Sequence, residues 1–532
     1  MKAHAGAVLS RSRKAFLTLA AGLALSVGVA ACGGSSESDG DSGGSTAAAT
    51  GAATTAAGGG SASGTPEGNL RVVLAAPPSG LDPIVSARDG QYVWGTMLEP
   101  LVNVDDRELP DRTGLVTDWS RPNPTTWEFR LRPGVRFTNG EPFDAAAAAF
   151  AIQENVDNPA GILKSYFANV RSVRARGDDT VVVTTRTPQV NLVNLLSTVF
   201  ALPPAYYREA GSEGFTKRPV GTGPFTWTRE LPGRSMQVSA NPGYWGDAPG
   251  VRDVTFTWAT DAQQRLSLLQ SGAADVSFDL PPTQAQAAQE AGLDVLEIPT
   301  SVKITAFLQA DRAPFDDPAV RRAAALAIDR DQIVESIFQG RATATGGMLN
   351  MLPGEEPASE ITPNMDEAKA LLRGATPSVT LTYPTKYTNI QDVAEATGGM
   401  LEEAGFRVSL RALDYGAMVG QIVRRNIDGI YLLGAVPNVA HPDFFARGFM
   451  TSTSITANCP DRELDVLTAR ALEQPDAETA QPIYDELNTR AVVEDACYAP
   501  LYNQTFNIGA KGVSGLEYSP LNVPDFSAAK LG

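Results

Sequence analysis

The sequence predicts an α/β protein that carries a β-rich subdomain. Three observations lead there. Between about 366 and 433, apolar strand-like runs alternate with amphipathic stretches of helical period, which is the pattern of an α/β lobe. Between 171 and 186, short alternating runs follow one another with no helix between them. Between 219 and 246, a hairpin is bracketed by two glycine-rich turns.

The chain opens with a basic segment, Lys2, Arg11, Arg13 and Lys14, followed by an apolar run over 15–31. At about seventeen residues this run suits the core of an export signal better than a membrane span. It ends in Val29-Ala30-Ala31-Cys32, and Gly33-Gly34-Ser35-Ser36 follows. Small residues before a cysteine give a peptidase access to the backbone and leave the thiol for a lipid. The pattern resembles a bacterial lipobox, with Val29 where Leu is usual. The alternative is a plain signal peptide with Cys32 incidental; the glycine-serine stretch directly after the cysteine favours lipidation. Residues 1–32 are therefore read as a lipoprotein signal. Residues 33–65, almost all Gly, Ser, Ala and Thr, are read as a disordered tether that holds a body off a membrane. No later stretch reaches eighteen consecutive apolar residues, so no transmembrane helix is predicted.

Composition removes several function classes. With 43 basic and 60 acidic residues the net charge is −17, and loss of the basic signal makes the mature chain more acidic still. Nucleic acid is not an expected partner. His4 leaves with the signal, so His441 is the one histidine of the mature chain. That rules out a multi-histidine zinc site, and a Ser-His-Asp triad would have to use His441 with no GxSxG elbow to serve it. There is no GxxxxGK[ST] loop, and Gly221-Thr222-Gly223 lacks the continuation of a dinucleotide fingerprint. No metal, cofactor or catalytic constellation is predicted.

The remaining elements follow in order. Residues 144–154 read as a helix and 178–186 as strand. In 219–246 (PVGTGPFTWTRELPGRSMQVSANPGYWG), a strand over 225–230 is turned by Pro232-Gly233 into a second alternating strand, and Asn241-Pro242-Gly243 closes it. Residues 261–275 read as a helix. Across 314–340, Val320, Ala324, Leu326, Ile328, Ile333, Ile337 and Phe338 form one helical apolar stripe. Strands at 379–383, 407–412 and 429–433 alternate with helices at 366–373, 390–404 and 415–426. Two further helices, 462–473 and 476–494, flank Pro475. If they pair antiparallel, Cys459 and Cys497 meet at one end. An even pair in an oxidising compartment favours a disulfide over two separate buried thiols.

Several of these segments together resemble a known family. PVGTGPF followed by NPGYWG is similar to the hairpin of the extracytoplasmic solute-binding proteins of ABC importers, family 5, the class that takes peptides, nickel chelates and oligosaccharides. Residues 111–143 (DRTGLVTDWSRPNPTTWEFRLRPGVRFTNGEPF), 261–275 (DAQQRLSLLQSGAAD) and 314–340 (PFDDPAVRRAAALAIDRDQIVESIFQG) resemble further pieces of it. So do Leu81-Asp82-Pro83 and 97–101, for its opening strand and first helix, together with 363–372 and 495–503. The resemblance covers about 68 to the C-terminus.

It implies a two-lobed periplasmic-binding-protein-like fold of type II, of the large cluster C kind, with a β-rich inserted subdomain and a two-strand hinge. Lobe I would combine 66–105, 215–300 and 500–532, the subdomain 106–214, and lobe II 301–499. The crossings would fall near Thr300 and Ala499. A monomer without cofactor is expected, held by lipid on the outer face of the membrane, with a small solute and a membrane permease as partners. The protein would capture a peptide or other small solute outside the cell and deliver it to that permease.

The resemblance also points to a ligand loop at 434–445 (GAVPNVAHPDFF), after the apolar strand. Peptide-binding members often have a tryptophan and an aspartate there; here Ala435 stands at the first position and Asn438, or Val439, near the second. An asparagine brings no charge to an α-amine, so a neutral ligand gains weight, with Asp279 the acid to test first if an amine is captured. The ligand-binding candidates are Tyr92, Trp94, Trp258, Phe278, Asp279, Tyr415, Gly434, Ala435, Val436, Asn438, His441, Tyr502 and Asn503. A cleft between the lobes is expected, lined by the loop with Tyr502, Asn503 and lobe I aromatics. Core packing or a loop contact is the other reading of each, and His441 reads as a surface-loop histidine. The alternatives in function are a secreted carboxylate-dependent hydrolase, for which 60 acids always supply some pair, and a receptor or chaperone of the same fold uncoupled from transport.

Overall fold

The computed structural model describes residues 65–86, 90–105, 108–352, 354–435, 437, 439, 441–519 and 523–532. Cys32, the signal and residues 33–64 of the tether lie outside them, as do Val436 and Asn438. Among the described residues no helix is long and apolar enough to cross a membrane.

An eleven-stranded mixed sheet runs through the molecule. Its spatial order is Arg407–Leu413, Ser378–Pro384, Ile430–Ala435, Asp294–Leu308, Tyr498–Ala510, Val276–Ser277, Asn69–Leu74, Asp253–Trp258, Ser235–Ala240 and Phe225–Leu231, with Ala342–Ala344 paired beside Tyr498–Ala510. Two long antiparallel strands, Asp294–Leu308 and Tyr498–Ala510, belong to both halves. Their pairing is interrupted between Pro299 and Lys303. There Thr300 donates its hydroxyl to the Gln504 carbonyl at 2.8 Å, and Asn503 Nδ2 donates to the Thr300 carbonyl at 3.0 Å. On the returning strand the register shifts fall at Gln504 and again at Leu501.

Each half of the sheet has its own core, which makes two lobes. In the first, Leu70, Val72, Phe225, Phe256 and Phe278 pack with residues of the subdomain. That subdomain holds a four-stranded antiparallel sheet, in the order Val116–Asn123, Thr126–Leu131, Thr180–Thr185 and Val170–Arg176. Phe129 and Val183 point from it into the shared core. In the second lobe, strand alternation feeds two layers. Ile304, Leu381 and Leu432 enter one, and Phe307, Tyr431 and Leu433 the other.

The two halves of the 219–246 motif grip the chain at Met97–Glu99. A Cβ on Gly221 or Gly223 would stand 2.1 or 2.7 Å from the Met97 carbonyl oxygen, so both positions need glycine. Tyr244 Oη and Trp245 Nε1 each donate to the Glu99 carboxylate at 2.8 Å. Burial raises the Glu99 carboxyl above its ordinary range, against the donors around it.

The acidic composition serves the helices directly. Asp144, Asp261, Asp317, Asp329, Asp414 and Asp476 each cap a helix N-terminus, accepting from backbone N–H groups. Asp329 explains one difference from the sequence expectation. The stripe over 314–340 is broken into Pro318–Ala327 and Arg330–Phe338, because Ile328 is extended and Asp329 caps a second helix. A second difference lies at 97–101, which is irregular chain laid under the hairpin; the helix before it is the short Gln91–Trp94. Cys459 and Cys497 are bonded, with Cα atoms 5.6 Å apart. They flank the helices Glu463–Leu472 and Ala477–Asn488.

Candidate functional site

The strand Ile430–Ala435 is buried along its length and delivers the chain to the predicted loop. A Cβ on Gly434 would come within 2.9 Å of both Ile304 Cδ1 and the Tyr387 ring, and Tyr387 donates its hydroxyl to the Gly434 carbonyl at 3.2 Å. The Tyr387 ring meets Tyr415, the first residue of the helix Tyr415–Val423, edge to face at 5.9 Å. Ala435 is buried opposite Lys303 on the long strand.

Val439 is buried in the core shared by the first lobe and the subdomain. His441 is buried, which corrects the surface-loop expectation. Its ring packs edge-on to Tyr484 at 5.6 Å, and its Nδ1 accepts from the Asp443 backbone N–H at 3.2 Å. Burial holds the imidazole down at about 4, so it is neutral at ordinary pH. The physical reason is that the apolar pair Phe444 and Phe445 draws the segment into the second layer of the lobe.

Two residues beside this loop escaped the sequence reading. Asp443 is fully buried, paired with Arg447 one helical turn on. Its carboxylate also accepts from Asn191 Nδ2, across from the subdomain, at 2.8 Å. The visible signal was an acid and an arginine four apart inside an aromatic run. Lys303 is fully buried and donates to the carbonyls of Gly347, Met348 and Asn350 and to Asn350 Oδ1. Burial pushes it down to about 7. A lone lysine at the head of the run that ends in Ala306-Phe307-Leu308 was its signal.

On the facing lobe, Phe278 is a core residue packed against Tyr92 at 5.4 Å and Tyr518 at 5.8 Å. Trp94 is buried edge-on to Phe200 at 4.5 Å, and Trp258 packs on the same core. Tyr502 is fully buried 4.6 Å from Phe338, and Asn503 is tied to Thr300. These residues are core-packed, which is the other reading the sequence left open; neither Tyr502 nor Asn503 is exposed.

Asp279 differs from all of them. It follows the short strand Val276–Ser277 at φ 54°, a left-handed conformation uncommon outside glycine, and is half-buried. No described residue donates a hydrogen bond to its carboxylate. Its counter-charge is Arg265, whose guanidinium is engaged with the carbonyls of Ala259, Thr260, Phe278 and Asp279. Burial pushes the Asp279 carboxyl up to about 6, with Arg265 opposing.

The first lobe also encloses a cavity of about 600 Å³, lined by Trp94, Glu99, Phe200, Tyr244, Tyr518 and Phe526 among others. Of the described sequence-predicted candidates it includes Trp94 alone, and no described residue between 301 and 499 lines it.

Known proteins share this architecture. The ABC transporter substrate-binding protein CtaP from Listeria monocytogenes superposes with a TM-score of 0.79, at 19% identity, covering 88% of this chain and all of that one. DppA from Helicobacter pylori, solved in complex with the peptide STSA, gives 0.72 at 20% identity, covering 87% and 98%. By sequence, the glutathione-binding protein GsiB of Pectobacterium atrosepticum is 26% identical over 428 residues, 76% of this chain and 83% of its own length. The model of the bacterial extracellular solute-binding proteins, family 5, matches residues 112–457, well over half the chain. The hairpin, the lobes and this match agree, and the chain belongs to the bacterial extracellular solute-binding proteins, family 5.

Proposed function

We propose that this solute-binding protein captures a short peptide with a free α-amine outside the cytoplasm and delivers it to an ABC import permease, without catalysing a reaction. Asp279 carries the reading: a half-buried carboxylate on left-handed backbone, with no hydrogen-bond donor among the described residues, is suited to accept an ammonium. It supplies the acid that the loop lacks at Asn438. The names of relatives that bind glutathione and the peptide STSA support the class. Closure would turn on Asp294–Leu308 and Tyr498–Ala510, with lobe I (66–105, 215–300, 500–532) and its subdomain (106–214) on one side and lobe II (301–499) on the other. Lipid on Cys32 of a monomer would keep the protein at the outer face of the membrane; Cys32→Ser then leaves the membrane fraction, and its retention there counts against the anchor.

The amine is tested with trialanine and glutathione, each with and without N-acetylation, by calorimetric titration. Acetylation, or Asp279→Asn, is expected to weaken binding at least about tenfold. Affinity should also fall as pH drops below about 6, where the Asp279 carboxyl takes up its proton. Equal binding of acetylated peptides would restore the neutral-ligand expectation.

A further inference from the structure

The segment from Val439 to Leu472 is joined to the subdomain by a set of contacts that involves protein groups alone. A chain of side-chain hydrogen bonds crosses the junction. Asn169 donates to Gln189 Oε1 at 3.1 Å, Gln189 donates to Asn191 Oδ1 at 3.1 Å, and Asn191 donates to Asp443 at 2.8 Å. Arg447 closes it, its Nε lying 2.8 and 2.7 Å from the two Asp443 oxygens. Gln189, Asn191 and Asp443 are each at most 1% exposed.

Apolar groups are exchanged across the same junction. Val439 of the second lobe sits in the core of the first lobe and subdomain, and Val190 of the subdomain sits in the core of the second lobe. The Val190 N–H donates to the Leu472 carbonyl at 3.0 Å. Tyr166 stacks on Phe444 at 5.6 Å, with the Arg447 guanidinium 5.3 Å over its ring. Arg121 of the subdomain donates to the carbonyls of Gln474 and Pro475. Local backbone follows suit: Ala446–Met450 winds as a π-helix, a form common at functional positions, and a Cβ on Gly448 would meet Tyr166 Oη at 3.3 Å.

We infer that Asn191, Asp443, Arg447 and Tyr166 form a latch that holds the subdomain against the second lobe independently of solute, directly beyond the loop at 434–442. Because the buried Asp443 loses a donor when the lobes part, the latch favours the closed form by itself. Solute binding then adds to a bias already present, and the strength of the latch sets the fraction of molecules open to receive it. The inference does not depend on which solute is bound.

The test measures the distance between subdomain and second lobe in the mature protein without added solute. Spin labels on p-acetylphenylalanine at Arg174 and Glu473 leave the disulfide intact, and double electron–electron resonance reads the distribution. The parent should show a dominant short distance. Asn191→Asp is isosteric and can still accept from Gln189, but sets a carboxylate against Asp443; it should lower the closed-to-open ratio at least about tenfold. The exchange Asn191→Asp with Asp443→Asn restores a donor and an acceptor and should bring the short distance back. Tyr166→Ala, which adds no charge, should move the distribution the same way by less. Circular dichroism confirms that each variant is folded. An unchanged distribution in both Asn191→Asp and Tyr166→Ala overturns the latch, and so does a folded exchange variant that stays open.

Discussion

Glu99 and Asp443 are both carboxylates held inside the molecule, and the protein treats them in opposite ways. Glu99 lies within one lobe and is satisfied by neutral donors, Tyr244 and Trp245, on the hairpin it anchors. All its partners move with it. Asp443 is satisfied by a charged partner of its own segment, Arg447, and by Asn191 from a different body of the fold. On the latch inferred above, the bond from Asn191 breaks when the lobes separate. The first arrangement stabilises a lobe; the second links a lobe's position to a hydrogen bond. A buried carboxylate is thus structural or conformational according to whether its partners share its rigid body.

The second lobe differs also in carrying a covalent tie, and the largest expected effect belongs there. The Cys459–Cys497 bond closes a loop of sequence separation 38, so Cys459→Ser with Cys497→Ser should cost about 3–4 kcal/mol in the chain-entropy model. Thiol labelling of the denatured, unreduced parent should find neither cysteine reactive; stoichiometric labelling of both would show there is no tie to lose.

Next comes the Glu99 clamp. Glu99→Ala strands two donors and should lower unfolding free energy by about 2–3 kcal/mol. Asn191→Ala, at the other carboxylate, leaves Asp443 with Arg447 and should cost about 1 kcal/mol or less. Urea unfolding of the two variants decides it: equal losses would erase the distinction between structural and conformational carboxylates.

The last effect is read as a slope against pH. Lys303 is held at about 7 in the fold against 10.5 as its ordinary value, by burial, with Glu355 opposing. The unfolded chain therefore binds more protons between those values, and stability rises with pH from about 7 toward 10.5; below 7 the full cost of the buried charge remains. Lys303→Met should remove that rise relative to the parent. An identical pH dependence in parent and variant would mean the carbonyls of Gly347, Met348 and Asn350 keep the lysine charged throughout.

Much of the fold was legible in the residues. Gly221, Gly223 and the NPGYWG turn announced a hairpin whose first turn admits nothing larger, and the helices read from 144, 261 and 476 do begin there, each on an aspartate that caps it. The break at Asp329 was harder, because an apolar stripe continues in register through two short helices as through one long helix. His441 was misread because polarity of the surrounding loop says nothing of the Phe444-Phe445 pair dragging it inward. Asp443 and Asn191, separated by 252 positions, could not have been paired from sequence at all.

Local rules therefore set what local forces control: turns that need glycine, caps that need a short acid, strands that alternate, and the match to family 5 that such patterns carry. Tertiary structure decided which lobe each buried charge serves, that Val439 and Val190 trade cores, and that Asp279 keeps a carboxylate to which no described residue donates. Those outcomes depend on long-range burial, where desolvation makes every partner count, and no short window of sequence contains the partner.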